Sequence, residues 1–229
     1  MSLAQPKRIL IIKLRHHSDV LLSTPVVDAL KTRFPDCEID MLVYAGTGQL
    51  IADNPQIAQI FTIDRNWKKL GVFKQLACEK NLLSKLKVRD YDWAFNLSDQ
   101  WRAAIIAKLC ARCSVGLDCI KRDGFWWRFC HDFINHELDT SHHIVENQLN
   151  ILVPLIQPKD VADAKVRLWV AQDARESMRQ KLREQGWSGE DYVLLHPGAR
   201  WHFKCWEDGK NTAYNQNAPS ILFNAMISP

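Results

Sequence analysis

Short apolar runs of strand length alternate with longer amphipathic stretches over the first 150 residues of the chain. The strand-length runs are ILIIKL (9–14), EIDMLVY (38–44), IAQIFTI (57–63), DWAFNLS (92–98) and SVGLD (114–118). The helix-length stretches cover about 20–33, 47–53, 72–88, 100–110 and 142–154. Because the strands are apolar at consecutive positions, helices should cover both faces of the sheet. The alternation therefore predicts an α/β fold with a doubly wound parallel sheet.

The composition of the 229 residues is that of a globular protein, with 47% hydrophobic and 24% charged residues. No apolar run approaches the roughly 18 to 20 residues that span a bilayer. The N-terminus, MSLAQPKR, has no small-residue cleavage site, and seven cysteines at irregular spacing are typical of reduced thiols. We therefore expect a cytoplasmic protein. Its net charge of +4 indicates only a weak preference for anionic partners.

The distribution of the basic residues is more informative than their number. They cluster at Lys13–His17, Arg65–Lys69, Lys121–Arg128 and Arg200–Lys204, and each cluster lies close behind a predicted strand. Parallel sheets of this class bind ligands at the carboxyl ends of their strands, where these loops gather. Asp19 lies at the first turn from strand to helix, so we expect a carboxylate surrounded by cations at this edge.

Asp19 has two interpretations from the sequence alone. Aspartate is a common helix cap, because its oxygens accept hydrogen bonds from free backbone N–H groups. Alternatively, a carboxylate that is kept ionised by a helix N-terminus and by cations can act as a general base. Such a base suits glycosyl transfer, in which the attacking hydroxyl loses its proton late in an oxocarbenium-like transition state.

Other motifs argue against a metal site or a common nucleotide-binding loop. The tandem histidines at 16–17 and 142–143 have no third ligand at a compelling spacing, and the CxxC at Cys110 and Cys113 fits no regular zinc module. We therefore predict no metal. Neither G-x-G-x-x-G nor G-x-x-x-x-G-K-[ST] occurs. Basic loops alone do not specify nucleic acid, and we predict none as a partner.

A second domain is predicted to begin after a polar connection that follows Pro154. Its first elements would be a strand at 166–170, a helix at 173–185 and a strand at 192–199, which leads into RWHFKCW. From Gly209 the composition changes and neither helical periodicity nor a strand follows. We predict an N-terminal domain over 1–160, a linker and the start of a second domain over 161–208, and an atypical tail, truncated or disordered, over 209–229.

Several separated motifs, in order, resemble those of the bacterial lipopolysaccharide heptosyltransferases, glycosyltransferase family 9. These are KLRHHSDVLLSTPVV, IFTIDRNWKK, NLSDQWRAA, HHIVENQLNIL and HPGARWHFKCW, within about residues 7–208. The resemblance implies a GT-B fold with two Rossmann-like halves. The N-terminal half would bind a phosphorylated inner-core heptose on lipid A, and the other half ADP-L-glycero-D-manno-heptose. It further implies an inverting transfer without metal or cofactor, at the cytoplasmic face of the inner membrane.

The resemblance also implies roles for individual residues. Asp19 corresponds to the catalytic aspartate, which takes the proton from the acceptor hydroxyl. Lys204 matches the lysine that contacts the donor diphosphate, and Ser18, beside the donor, stands where the family usually has Gly. The residues implied to bind or attract the acceptor phosphates are Lys13, Arg15, His17, Arg65, Lys68, Lys69, Lys121 and Arg122.

Two alternatives to an active heptosyltransferase stay open at this point. The chain supplies only the opening of the donor half, so it could be a truncated, catalytically inactive fragment that binds the acceptor. It could also be a basic nucleotide-binding or scaffolding module. Because half a cleft cannot orient the donor against the acceptor, we expect loss of turnover for a chain of this length.

Overall fold

The computed structural model describes residues 5–117, 124–135, 142–157 and 163–191. The chain forms two compact units, the first ending at Val170 and the second beginning at Ala171. The described part of the second unit contains the helix Gln172–Glu184, close to the predicted bounds of 173–185, and a turn. In that turn the Trp187 indole N–H donates to the carbonyl oxygen of Glu190 (2.7 Å).

A parallel sheet forms the centre of the first unit. Its described strands are β1 (Arg8–Lys13), β2 (Glu38–Tyr44), β3 (Gln59–Ile63), β4 (Tyr91–Asn96), β5 (Ala111–Leu117) and β6 (Phe133–Asn135). The strands are arranged in the order β3-β2-β1-β4-β5-β6, and every neighbouring pair is parallel. The chain reverses direction across the sheet between β1 and β4, where doubly wound sheets place their ligands. The predicted α/β fold is confirmed.

Helices cover both faces of this sheet. They are α1 (His17–Leu21), α2 (Thr24–Arg33), α3 (Val72–Val88), α4 (Trp101–Cys110), α5 (Phe125–Phe129) and α6 (Ile144–Leu149), with 3-10 helices at Thr47–Ile51, Arg65–Lys69 and Asn150–Leu152. The predicted helix at 20–33 is two helices, and Pro25 lies in the first turn of α2, where its missing N–H costs nothing. The predicted helix at 142–154 is α6 followed by a 3-10 turn.

The consecutive apolar residues of β1 fill two separate hydrophobic layers. Ile9 and Ile11 pack with α2 and with the 3-10 turn that follows α6. Leu10 and Ile12 point to the other face, where they pack with α3 and α4. Side chains alternate between the two faces of a strand, so a strand buried on both faces must be apolar at every position.

The segment predicted as a strand at 166–170 forms no ladder with any of the described strands. Instead, it lies against α2 and belongs to the first unit. The Lys165 N–H donates to Asp28 Oδ2 (3.2 Å), and the Arg167 N–H donates to Thr24 Oγ1 (3.2 Å). The side chains of α2 therefore take the place of a neighbouring strand.

A buried histidine fixes the end of β5. The His131 ring lies against Gly116, and a Cβ atom added at Gly116 would lie 2.5 Å from the ring. Asn96 Nδ2 contacts His131 Nε2 (3.1 Å), and His131 Nδ1 contacts the carbonyl oxygen of Trp127 (3.0 Å). Burial lowers the pKa of His131, which favours the neutral ring. Only glycine leaves room for this ring.

We therefore expect Gly116→Ala to lower the free energy of unfolding by about 1–3 kcal/mol, because the added methyl group overlaps the His131 ring. Urea unfolding measures the change. Gly71→Ala is the matched control, since nothing lies within 4 Å of a Cβ atom at Gly71. Equal stability of the two variants would contradict the packing of His131 on Gly116.

Candidate active site

Asp19 lies on α1, directly behind the carboxyl end of β1. Its Oδ2 accepts a hydrogen bond from the backbone N–H of His16 (3.3 Å), the N-cap residue of α1, so the carboxylate forms part of a capping box at the start of this helix. The side chain is only partly buried, and it forms no ion pair with any residue in the described ranges. One oxygen therefore fixes the orientation of the carboxylate, while the other is available to a ligand. The capping and general-base interpretations are compatible.

Lys13 ends β1 beneath this turn and is almost completely buried, with 4% exposure. Its ammonium group donates to the carbonyl oxygen of Leu97 (3.1 Å), just beyond β4. Burial lowers the pKa of Lys13 to about 8, and the negative charges of Asp19 and Asp99 oppose this shift. Lys13 therefore links the end of β1 to the loop after β4. Its burial does not favour the predicted contact with an acceptor phosphate.

The loops that follow β1 and β4 are joined by hydrogen bonds. The Leu14 N–H donates to Ser98 Oγ (2.7 Å), and the Leu14 carbonyl oxygen accepts from Gln100 Nε2 (2.8 Å). Next along the chain, the Arg15 guanidinium forms an ion pair with Asp99 (2.7 Å). We call these contacts the loop junction. It holds Arg15 close to the helix that carries Asp19.

Arg65 lies above the ring of Tyr44, with its guanidinium carbon 4.3 Å from the ring centroid. It also donates to the carbonyl oxygen of Arg15 (3.3 Å). The Tyr44 hydroxyl in turn donates to Gln100 Oε1 (2.6 Å). The aromatic ring thus directs a cation from the loop after β3 towards the loop after β1. Arg65 forms no ion pair with an acidic residue in the described ranges.

The other predicted site residues occupy varied positions. Lys68 and Lys69 are exposed on the 3-10 helix that begins at Arg65, and His17 and Ser18 are exposed at the start of α1. Three predicted residues lie outside the described residues: Lys121, Arg122 and Lys204. The structure therefore brings together Lys13, Arg15, Asp19 and Arg65 at one edge of the sheet, joined by the neighbouring His17, Ser18, Lys68 and Lys69.

Sequence reasoning missed Tyr44 and Gln100, which orient Arg65. Both residues follow or end a strand at the carboxyl edge, and Gln100 lies within the NLSDQWRAA motif. Their location at the carboxyl edge was the one feature of the sequence that could have indicated a role at the site. However, their hydrogen bond links residues 56 positions apart, and no local pattern in the sequence reveals such a pair.

Within the described ranges, no three His, Cys, Asp or Glu side chains lie close enough together to hold a metal ion. Cys110 and Cys113 are buried, and burial raises the pKa of each thiol to about 11. They are packed core thiols. Among the residues that the structure describes, no helix is long and apolar enough to cross a membrane.

Comparison with known sequences gives one consistent family. A family model described as glycosyltransferase family 9 (heptosyltransferase) matches residues 80–213, more than half of the chain. Lipopolysaccharide heptosyltransferase 3 of Escherichia coli is 34% identical over 201 residues, which cover 87% of the chain and 57% of that relative. The protein of the same name from strain K12 is 34% identical over 200 residues, covering 86% and 56%. The chain thus spans a little more than half the length of these relatives.

Solved structures share the fold at low sequence identity. The glycosyltransferase family 9 structure from Veillonella parvula DSM 2008 has a TM-score of 0.76 at 20% identity, over 90% of this chain and 57% of that one. The E. coli heptosyltransferase WaaC with ADP-2-deoxy-2-fluoro heptose has a TM-score of 0.62 at 18% identity, over 87% and 62%. These neighbours confirm that the α/β fold is of the GT-B type.

The burial of Lys13 predicts a specific pH dependence of stability. Its pKa in the folded chain is about 8, below the ordinary value of 10.5, so between these pH values the unfolded chain binds more protons at this position. The contribution of Lys13 to the free energy of unfolding should therefore rise through that window, by about 2–3 kcal/mol. The difference between the wild type and Lys13→Met, measured by urea unfolding at about pH 7 and about pH 10, reports it.

Lys85→Met is the matched control, because Lys85 is an exposed lysine on α3. This variant shows how far the loss of an exposed lysine alone changes the free energy of unfolding. Parallel pH profiles for the wild type and Lys13→Met would contradict the burial of the Lys13 ammonium group.

Proposed function

The chain belongs to glycosyltransferase family 9, and from this membership we propose that it acts in transferring L-glycero-D-manno-heptose from ADP-heptose to an inner-core heptose of lipopolysaccharide. The observation that carries the proposal is the setting of Asp19. One of its oxygens is held by the His16 N–H, and the other is open at the carboxyl edge, where Arg15 and Arg65 meet. The proposed reaction inverts the anomeric centre and uses no metal or cofactor.

The proposed role of Asp19 is that of general base. The acceptor hydroxyl gives its proton to the open carboxylate oxygen while the acceptor oxygen forms a bond to the anomeric carbon. The bond from that carbon to the diphosphate breaks, and ADP leaves on the opposite face. A side chain that is fixed by a hydrogen bond to its own helix supports this role, because a base must keep its direction during proton transfer.

The exposed cations beside Asp19 are proposed to bind the phosphates of the acceptor. Arg65 is the strongest candidate, since Tyr44 orients its planar guanidinium and such groups bind phosphate in bidentate geometry. Lys68 and Lys69 lie one turn further on and would add charge. The carboxylate of Asp99 already pairs with Arg15, which leaves Arg15 a smaller part in phosphate binding.

The remaining assignments follow from the family. His17 is proposed to face the acceptor, and Ser18 and Lys204 to face the donor. Lys121 and Arg122 keep their proposed role at the acceptor phosphates. The acceptor is a glycolipid, so we place the chain at the cytoplasmic face of the inner membrane as a peripheral protein.

Acceptor binding and heptose transfer are best measured separately, because the chain spans 57% of the length of its curated relative. Binding without transfer would identify the chain as an acceptor-binding protein. Transfer would identify it as the enzyme itself. Binding of ADP-heptose alone, without affinity for phosphorylated lipopolysaccharide, would favour a nucleotide-binding module.

In a form of the protein that transfers heptose, Asp19→Asn should lower the rate of transfer by about 10²–10⁴-fold, because the amide cannot accept the proton. The amide oxygen can still accept the hydrogen bond from the His16 N–H, so the helix cap is preserved. The measurement is incorporation of radiolabelled heptose from ADP-heptose into lipopolysaccharide that lacks its outer heptoses. Affinity for this acceptor should stay within about threefold of the wild type.

Asp90→Asn is the matched control for this experiment. Asp90 is an exposed carboxylate at the opposite edge of the sheet, where it pairs with Arg112 (2.6 Å). Its left-handed backbone conformation (φ 49°) suits asparagine as well as aspartate. Transfer at the wild-type rate by Asp19→Asn would contradict the proposed role of Asp19.

Arg65→Gln should weaken binding of phosphorylated lipopolysaccharide about tenfold, because a charged hydrogen bond to phosphate is lost. Calorimetry at low and moderate salt measures the effect. After enzymatic dephosphorylation, the same acceptor should bind weakly, and equally, to the wild type and to Arg65→Gln. Lys85→Gln, on the last turns of α3, is the charge-matched control. An equal loss of affinity for both acceptors would show that Arg65 does not bind phosphate.

A further inference from the structure

The first two turns of α3 expose apolar side chains to solvent. Val72, Phe73 and Leu76 are all exposed, and Phe73 retains 90% of its accessible surface. The same helix fills the core further along, where Leu82 and Leu86 are buried. The beginning of α3 therefore adds nothing to the core, and its apolar side chains have no structural role within the described fold.

A second exposed apolar cluster lies on α5. The rings of Phe125, Trp126 and Phe129 contact one another, with centroid distances of 5.5 to 6.4 Å, and all three are exposed. Trp127, between them in sequence, is buried and anchors the helix. We call the exposed residues of both helices the apolar rim: Val72, Phe73, Leu76, Phe125, Trp126 and Phe129.

Both parts of the apolar rim project from the carboxyl edge of the sheet. Glu79 of α3 forms an ion pair with Arg102, in the first turn of α4 (2.6 Å). Residues 72–76 precede Glu79, so they extend about 5–10 Å beyond that contact at the helical rise of 1.5 Å per residue. On the other side, the buried Trp127 contacts Trp101, the first residue of α4 (5.5 Å). α4 thus links the two parts.

Cations flank the part of the rim on α3. Lys68 and Lys69 precede the helix, and Lys74 lies in its first turn. All three are exposed, and none pairs with an acidic residue in the described ranges. Apolar and aromatic side chains beside lysines are complementary to a bilayer with anionic headgroups, in which aromatic rings lie at the interface and the lysines at the headgroups.

We propose that the apolar rim docks on an anionic phospholipid bilayer. The inference rests on the proposed function, whose acceptor is anchored in a membrane. Docking through the rim turns the carboxyl edge, with Asp19 and Arg65, towards the surface on which the acceptor sugars lie. Membrane contact through the apolar side chains of the rim is then separable from acceptor recognition by Asp19 and Arg65, while Lys68 and Lys69 lie between the two in sequence.

Co-sedimentation with vesicles that contain no lipopolysaccharide tests the proposal. The full chain should bind vesicles rich in phosphatidylglycerol more tightly than pure phosphatidylcholine vesicles. Phe73→Asp should reduce this partitioning at least about tenfold, and Trp126→Asp should also reduce it, because a charge replaces an aromatic side chain at the interface. Thermal unfolding checks that each variant folds.

Val88→Asp is the matched control, because Val88 is 80% exposed on the last turn of the same helix, at the opposite edge of the sheet. It should bind vesicles as the wild type does. Equal binding by Phe73→Asp, or no binding by the wild type, would overturn the proposal. A dimer in solution that Phe73→Asp abolishes, without vesicle binding, would identify a second copy of the chain as the occupant instead.

Failure of this inference can be distinguished from failure of the proposed function. Binding of a deacylated, phosphorylated core oligosaccharide needs no membrane, and Phe73→Asp should leave it unchanged. If that binding is normal while vesicle binding is absent, the inference alone is wrong. If the oligosaccharide does not bind, the proposed function fails, whatever the vesicles show.

Discussion

The loop junction between β1 and β4 holds the candidate site together. Parallel strands diverge at this switch point, so the loops that follow them have no regular hydrogen-bond ladder to continue. Leu14 replaces that ladder by using both of its backbone groups, one bonded to Ser98 and the other to Gln100. Gln100 Oε1 in turn accepts a hydrogen bond from the Tyr44 hydroxyl, and the ring of Tyr44 lies under Arg65. The positions of Arg15 and Arg65 depend on this chain of contacts, and Asp19 follows Arg15 closely, at the start of α1.

The two edges of the sheet differ in how their charges are compensated. At the amino edge, buried Asp40 pairs with Arg89 (2.7 Å) and also accepts a hydrogen bond from Tyr91 (2.7 Å). Such pairs satisfy buried charges and serve the fold. At the carboxyl edge, Arg65, Lys68 and Lys69 pair with no acidic residue in the part of the chain that the structure describes. Three such cations within five residues, beside the oriented carboxylate of Asp19, support the proposed anionic ligand at this edge.

The fold could be predicted from the sequence because its central strands are apolar on both faces and because α2, α3 and α4 each have at least ten residues. β6 was missed, since three residues are too few to form a pattern, and α5 was missed because FWWRF has no apolar periodicity. At the site, Asp19 and the exposed cations could be predicted because they follow strands in the sequence. The burial of Lys13 could not be predicted in this way, because it depends on the packing of two distant loops around one ammonium group.

In the proposed complex, a phosphorylated acceptor lies at the carboxyl edge with its reactive hydroxyl at Asp19. A crystal structure of the chain with a phosphorylated inner-core oligosaccharide tests this most directly. We expect an acceptor hydroxyl within about 3.2 Å of a carboxylate oxygen of Asp19 and a phosphate oxygen within about 3 Å of the Arg65 guanidinium. An oligosaccharide bound at the amino edge, or one whose phosphates contact neither Arg65 nor the lysines beside it, would contradict this binding mode.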